Sequence, residues 1–466
     1  MHPIILASCL LAFIASCASL ARASSVSASA AGSTAATVAA AATATGDPGP
    51  ILPMRERARV IDDWLAARLQ RLAPALMREH DVDMWIIIGR EYDEDPVLRT
   101  MLPAEWLAAR RRTILVLHDP GSGDGLERLA VARYAVGDQF ASAWDPDTQP
   151  DQWARLAEIV AERDPARIAI NVSPDFALAD GLSHSQHAGL FAALPEQVHD
   201  RIVPAGPLAI GWLERRLPEE LEVYASVCRI AHEIMAEALS ERTIQPGVTT
   251  TDDLKWWVRD RIRELGLTAW FHPLVSVQRH ESGSDLTDLI SGREDVIHRG
   301  DLIHMDMGIS YLRLHTDTQQ MAYVLRSGET APPEGLQAAF AVGNRMQDIL
   351  TDSFGEGRSG NAVLADALAG AKSAGIDAMV YSHPIGFHGH AAGPAIGMWD
   401  KQGGVPIRGD LTIHDRTAYA IELSVSVPVA EWGGQDVRIM LEEDAVFADG
   451  RVRYLDGRQT QLRIVR

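Results

Sequence analysis

The chain is poor in cysteine and in positive charge. Only Cys9, Cys17 and Cys228 occur in 466 residues, and the first two lie in an apolar leader. The mature chain therefore has no intrachain disulfide framework to build on. Acidic residues outnumber Lys and Arg by 63 to 43, a formal charge of −20. Nucleic-acid binders normally carry a basic face, so DNA and RNA are not expected partners. No internal repeat is visible, and the first folded half shows neither a Gly-rich phosphate loop nor a nucleophile elbow. What is present is an ordinary soluble balance, 47% apolar and 23% charged. That excludes a mostly disordered chain and a polytopic membrane protein.

The one long apolar run is at the start. Ile4 to Ala21 is apolar and small, and Ala21-Arg22-Ala23 has the small-x-small form of a cleavage site. The segment before it holds His2 but no Lys or Arg. Ile14-Ala15-Ser16-Cys17 also resembles a bacterial lipobox, which would make Cys17 a lipidated N-terminus. An uncleaved anchor is the remaining alternative, because the run is just long enough to span a bilayer. Residues 1–23 are thus expected to be a signal peptide or lipoprotein leader. Residues 24–50, mainly Ala, Ser and Thr, are expected to be a disordered tether. The expected location is outside the cytoplasm, periplasmic or as an envelope-anchored lipoprotein, with no membrane association beyond such an anchor.

Residues 51–215 read as an α/β domain. Ile61, Trp64, Leu65, Leu69, Leu72 and Leu76 recur at helical spacing, which predicts one amphipathic helix over 54–80. Apolar strands are expected over 83–89, 112–117, 129–134 and 168–171, with a helix over 153–163. That alternation argues for an α/β layer. Arg110-Arg111-Arg112 reads as a solvated edge. The domain carries no catalytic motif, so a structural or substrate-shaping role is expected. Arg215-Arg216-Leu217-Pro218 marks the boundary.

Residues 216–466 carry the chemistry. A helix is predicted from Pro218 to Glu241, with Cys228 on its apolar face and hence in the core. The Pro246-Gly247 break precedes a second helix, capped by Thr250 or Thr251 and running to about Leu265. Asp306 ends one strand and Asp317 starts its partner. A hairpin of that span can bring both carboxylates to one place. His383 follows much later, then Glu422 and Glu442, each inside an apolar strand. An ionised carboxylate inside a sheet is costly unless it is paired or bound to metal. Asp306, Asp317, His383, Glu422 and Glu442 together suit two divalent cations bridged by shared carboxylates. His304 and His315 each precede an Asp by two residues and share its strand face. They read as satisfied sheet histidines, with support of the ligands as the alternative. His388 reads as structural or solvent-facing.

This ordered set resembles the creatinase/aminopeptidase P/prolidase-like metallopeptidase family of pita-bread fold. Asp306-Met307-Gly308, Asp317-Thr318, His383-Pro384-Ile385-Gly386 with His390, Ile421-Glu422 and Leu441-Glu442 match the family's segments in order. Pro246-Gly247-Val248-Thr249 matches the turn before its second helix. The resemblance implies an α+β chain, with an α/β creatinase-type N-terminal domain over 51–215 and a pita-bread catalytic domain over 216–466. It implies two divalent ions (Mn, Co or Zn), a short peptide as substrate and a homodimer. The activity it implies is hydrolysis of N-terminal peptide bonds by a metal-bridged hydroxide, as in Xaa-Pro aminopeptidases and dipeptidases. Alternatives on the same fold are a non-peptidase C–N hydrolase and a non-catalytic peptide-binding module. Glu422 would ligate metal and shuttle a proton, and His390 would stabilise the reacting carbonyl.

Two segments depart from the family. It has a histidine 17–21 positions before the first Asp, where this chain has Asp285-Leu286-Thr287-Asp288-Leu289. His280 and His272 are the nearest upstream, and His280 is taken as the candidate catalytic residue. The family's Arg-x-Glu becomes Arg438-Ile439-Met440-Leu441-Glu442, with Glu443 as the alternative ligand. Trp270, Phe271, Met398 and Trp399 are expected to wall the pocket.

Overall fold

A computed structural model describes residues 51–121, 125–280, 290 and 294–466. The leader, the tether and positions 285–289 lie outside the described residues. Among the described residues, no helix is long and apolar enough to cross a membrane.

The N-terminal half is built on a six-stranded mixed sheet. Its strands are β1 (Met84–Arg90), β2 (Arg112–His118), β3 (Glu127–Val131), β4 (Ala141–Ser142), β5 (Ile168–Ile170) and β6 (Ile202–Pro204), in spatial order β4-β3-β2-β1-β5-β6. β1 pairs antiparallel with β2 and parallel with β5. Because side chains alternate along a strand, Trp85 and Ile87 pack with Leu115, Leu117, Leu76 and Trp212 on one face. Met84, Ile86 and Ile88 pack with Ile114, Val116, Leu156 and Ile159 on the other. Burial on both faces explains why β1 reads as a continuous apolar run.

The helix predicted over 54–80 is interrupted. It runs Met54–Ala67, opens into a π-helical stretch at Arg68–Leu72, and resumes at Ala73–Glu79. Pro74 lacks an N–H, which removes an ordinary α-helical bond at this point. The widened turn holds Arg68, which is 1% exposed. Its Nη1 donates to Glu220 Oε2 at 2.9 Å, and its Nη2 to the Trp212 carbonyl. This buried ion pair joins the two halves. Burial lowers the Arg68 guanidinium to about 9 despite the Glu220 charge beside it.

The C-terminal half begins with helices Pro218–Ala238 and Thr251–Glu264. The second is capped by Thr250, whose Oγ1 accepts from Asp253 N at 3.0 Å. Its strands are β7 (Thr268–Ala269), β8 (Leu274–Gln278), β9 (Leu302–Met307), β10 (Ile309–Tyr311), β11 (Leu314–His315), β12 (Thr318–Val324), β13 (Asp377–Val380), β14 (His383–Ile385), β15 (Thr417–Val429), β16 (Gln435–Ala448), β17 (Arg451–Tyr454) and β18 (Arg463–Val465). The main path of the large sheet is β13-β15-β16-β12-β9-β8, with β14 on β15, β17 on β16 and β18 on β12. Helices Pro218–Ala238 and Thr251–Glu264 cover one apolar cluster, which includes Met305, Ala322 and Cys228. Helices Glu334–Asp352 and Gly360–Ser373 cover a second, which includes Tyr419, Ile421 and Leu441. Each large side chain so buried contributes about 1.5–3 kcal/mol. The helices leave a seam between β9, β12, β15 and β16, and the acidic side chains meet there.

Candidate metal centre

Strand register assembles the site. β9 and β12 pair Asp306 with Gln319, β12 and β16 pair Gln319 with Glu442, and β15 and β16 pair Glu422 with Glu442. Directly opposed residues project together, so Asp306, Gln319, Glu442 and Glu422 form one row across four strands. Asp317 enters from the residue before β12. His383 enters from β14, opposite Ala420 of β15. His383 Nε2 stands 3.6 Å from Asp317 Oδ2 and 3.7 Å from Glu442 Oε1. Donor atoms of Asp306, Asp317 and Glu442 lie within 4.8 Å of one another, as do those of His383, Glu422 and Glu442, and those of Asp317, His383 and His390. All five side chains expected to ligate metal thus converge, and Glu442 joins two of these groups.

The electrostatics suit cations. Burial pushes the Asp306 carboxyl up to about 7. Burial, then the nearby Asp306 charge, pushes Glu422 up to about 8. Asp317 and Glu442 are raised well above the carboxylate range by burial and then by neighbouring carboxylates. Burial lowers His383 to about 3, so its imidazole is neutral near pH 7. Its Nδ1 lies 3.1 Å from the Pro384 carbonyl, which fixes that nitrogen as the donor and leaves Nε2 as a lone-pair ligand. Asp306 Oδ1, His383 Nε2 and Glu442 Oε1 are buried and meet no hydrogen-bond partner among the described residues. Buried polar atoms are normally satisfied. Three orphans of ligating type in one cluster fit a divalent cation, and the oxygen-rich set with one nitrogen fits Mn, Co or Zn chemistry.

Gln319 carries the cross-strand order into the side chains. Its Nε2 donates to Glu422 Oε1 at 2.7 Å and to Glu442 Oε2 at 2.8 Å. Its Oε1 lies 2.8 Å from His304 Nε2, and His304 Nδ1 lies 3.5 Å from Ser276 Oγ. An amide that donates to two carboxylates must accept from His304, so His304 carries its proton on Nε2. Burial lowers His304 to about 4, which keeps the ring neutral. His304 is therefore more than a satisfied sheet histidine. It orients the amide that holds two of the expected ligands. No motif singles out Gln319 in the sequence. Its place opposite both Asp306 and Glu442 is a fact of register.

Other residues support the ring. Asp444 accepts from Asp317 N at 3.2 Å, and burial raises Asp444 to about 8. Ser382 Oγ accepts from Glu422 N at 3.0 Å and donates to its carbonyl at 3.1 Å. His390 sits at the exposed mouth, with its ring centroid 4.8 Å from that of His383 and 5.2 Å from that of Trp270. Trp270 donates to the Thr316 carbonyl at 2.7 Å and is clasped where a Cβ at Gly308 or Gly389 would collide with it. It thus supports His390, and Phe271 packs on it at 4.4 Å. A cavity of about 160 Å³ adjoins Asp306 and Glu422, lined by Leu274, Met379, Tyr381, Trp399 and Met440 among others. Of the expected walls, Trp399 lines this cavity and Met398, Trp270 and Phe271 do not. His388 is half-buried, with its ring 6.5 Å from that of His315.

His280 is not brought to this centre. β8 pairs Leu274 with Asp306 and Gln278 with Leu302, so the strand leads away from the ligands. At ~3.3 Å per residue, His280 lies ~20 Å further along. Its Nε2 is beside Gly433, in the turn between β15 and β16. The strand direction excludes it from contact with Asp306. Glu443 also points away from the ligands and bonds His232.

Residues 222–446 match the profile of metallopeptidase family M24. The chain is similar in structure to an X-Pro aminopeptidase from Thermotoga maritima, at 17% identity and a TM-score of 0.60, over 84% of this chain and 100% of that one. It is similar to a dipeptidase from Pyrococcus horikoshii, at 21% identity and a TM-score of 0.57, over 85% of this chain and 99% of that one. It is also similar to an Xaa-Pro dipeptidase from Bacillus anthracis, at 15% identity and a TM-score of 0.58, over 88% of this chain and 100% of that one. Identities this low speak for the fold. No curated protein sequence matches the chain. Residues 222–446 thus carry the M24 metallopeptidase domain, and with the pita-bread architecture they support a peptidase hydrolase.

Proposed function

We propose that the chain is an exported, dinuclear Xaa-Pro peptidase that removes N-terminal residues from short peptides. The observation that carries this reading is the row Asp306-Gln319-Glu442-Glu422, closed by Asp317 and His383, with three buried ligand atoms unsatisfied. Divalent cations (Mn, Co or Zn) held there supply Lewis acidity and a water nucleophile at neutral pH. Glu422 stands beside the cavity and moves the proton to the leaving amine. His390, at the mouth, donates to the scissile carbonyl oxygen as charge develops on it. Met379, Met440 and Trp399 receive an apolar part of the substrate. The names of the similar structures, X-Pro aminopeptidase and Xaa-Pro dipeptidase, support the substrate class. The apolar leader supports export, by signal cleavage after Ala23 or lipidation at Cys17. A homodimer is the proposed assembly.

The test is metal-resolved hydrolysis. The purified protein is stripped of metal and assayed on Xaa-Pro dipeptides and tripeptides with Mn, Co or Zn restored. Metal-dependent cleavage that Glu422→Gln abolishes is expected. Metal binding without cleavage of any of these peptides would overturn the peptide specificity and move the chemistry to another C–N bond.

A further inference from the structure

A cavity larger than the one beside the acidic cluster lies elsewhere. A concavity of about 460 Å³ opens in the N-terminal domain, where β1 ends, β2 begins and β3 ends. Its lining includes Arg110, Arg111, Arg112 and Arg133, with the aromatic side chains Trp106 and Trp144. In a chain of net charge −20, four guanidinium groups gather here. Among the described residues of the lining, Glu91 is the one acidic side chain.

These arginines differ from others in the same domain. Arg155 pairs with Glu158 and Glu162, Arg163 with Glu127, and Arg90 with Asp93. Among the described residues, none of the four cavity arginines forms an ion pair. Two are held by their flat faces instead. The Arg112 guanidinium carbon lies 4.5 Å from the centre of the Trp153 ring, and that of Arg110 lies 4.9 Å from the centre of Trp106. Stacking occupies the face of a guanidinium and leaves its in-plane N–H groups available. Arg112 Nε and Nη1 are buried and meet no acceptor among the described residues. Burial lowers the Arg112 guanidinium from its ordinary value, although Asp151 opposes this.

The backbone turns sharply within the three consecutive arginines. Arg111 adopts φ +53°, a left-handed conformation disfavoured for a bulky residue. Glu91 N donates to the Arg111 carbonyl at 2.6 Å and fixes this turn. Gln152 Nε2 donates to the Arg112 carbonyl at 3.1 Å. Arg110 and Arg111 are exposed, as a solvated edge requires, whereas Arg112 is half-buried. Together the three form one wall of a positive, aromatic-lined cavity.

We propose that this cavity binds a small organic anion, with a carboxylate or phosphate group on the arginine forks and a planar body against the aromatic wall. Charge-assisted, forked hydrogen bonds suit either oxyanion. A concave positive site in an acidic protein also concentrates anions locally.

Calorimetric titration of the intact protein at low salt tests this, with phenyl phosphate, benzoate and the uncharged control benzyl alcohol. Saturable binding of at least one anion, weakened by added salt, is expected. Tighter binding of phenyl phosphate identifies a phosphate ester, and tighter binding of benzoate a carboxylic acid. Arg112→Gln should weaken binding ~10-fold, and Arg133→Gln, on the exposed rim, ~3-fold, because each removes charge-assisted bonds. Arg133→Gln keeps the test decisive if Arg112→Gln fails to fold. The proposal is overturned if neither anion saturates below ~10 mM, if benzyl alcohol binds equally well, or if folded variants bind as the parent does.

Discussion

Glu442 and Glu443 are neighbours on β16, both almost wholly buried, and the two sides of the strand treat them oppositely. Glu442 faces Asp306, Asp317 and Glu422, and its Oε1 meets no hydrogen-bond partner among the described residues. Glu443 faces an assembled counter-charge. Its Oε2 lies 2.6 Å from His232 Nε2, and its Oε1 accepts from Gln320 Nε2 at 3.1 Å and Gln459 N at 2.9 Å. His232 Nδ1 in turn lies 2.9 Å from Asp456, which also accepts from Arg229. Burying a charge is tolerable when its partner is built into the fold. One side of β16 supplies that partner from the chain itself, and the other offers a candidate site for cations. An unsatisfied carboxylate here marks chemistry, whereas a satisfied one marks architecture.

The largest effect comes from exchanging these two roles. Glu442→Gln should weaken metal binding ~100-fold or more, beyond the 10–100-fold typical of residues behind a ligand. In the stripped protein the same change should raise stability, because it removes one repelling carboxylate. Glu443→Gln should instead leave metal affinity near that of the parent and cost ~3–5 kcal/mol of stability through the broken buried pair. Metal titration and urea unfolding of both variants read the two axes separately.

Gln319→Ala comes next. It removes the amide that donates to both Glu422 and Glu442, and metal affinity should fall by ~10-fold or more with little change in the fold. Competition against a chelator measures this.

A smaller, pH-dependent effect tests the structural side. Burial disfavours the charged form of His232, yet Glu443 and Asp456 overcome it and raise the imidazole to about 10, from an ordinary 6.5. Its contribution to stability is full below 6.5 and is lost as pH rises through about 10. His232→Asn should be less stable at neutral pH and should flatten that decline, read from melting temperatures across the same range. The smallest effect lies away from both faces. Thr250→Ala removes a helix cap and should cost ~1 kcal/mol in unfolding measurements, with metal affinity unchanged.

Much of this centre was legible in the sequence because ionised groups inside apolar strands need a reason. Asp306, Asp317, His383, Glu422 and Glu442 announce themselves in that way, and their order carries the family resemblance. Gln319 did not, because a neutral amide in a strand breaks no rule. Its significance arises only where strands far apart in sequence align. His280 shows the converse failure, since proximity in sequence to Asp306 said nothing of the direction of β8. Four strands of the N-terminal sheet were readable as apolar runs, whereas the short β4 and β6 were not. The π-helical stretch at Arg68 was not, because it depends on a partner, Glu220, in the other half of the chain. The arginine cavity was hidden for a similar reason. The run reads as a solvated edge, and only the structure places Trp106 beneath Arg110 and Trp153 beneath Arg112.

The most direct test of the central claim is the metal content of the stripped protein after dialysis against Mn, Co or Zn, measured by mass spectrometry beside Asp306→Asn. The account predicts two ions per chain in the parent and fewer in the variant. Parent protein that retains none, or a variant that retains as many as the parent, would contradict it.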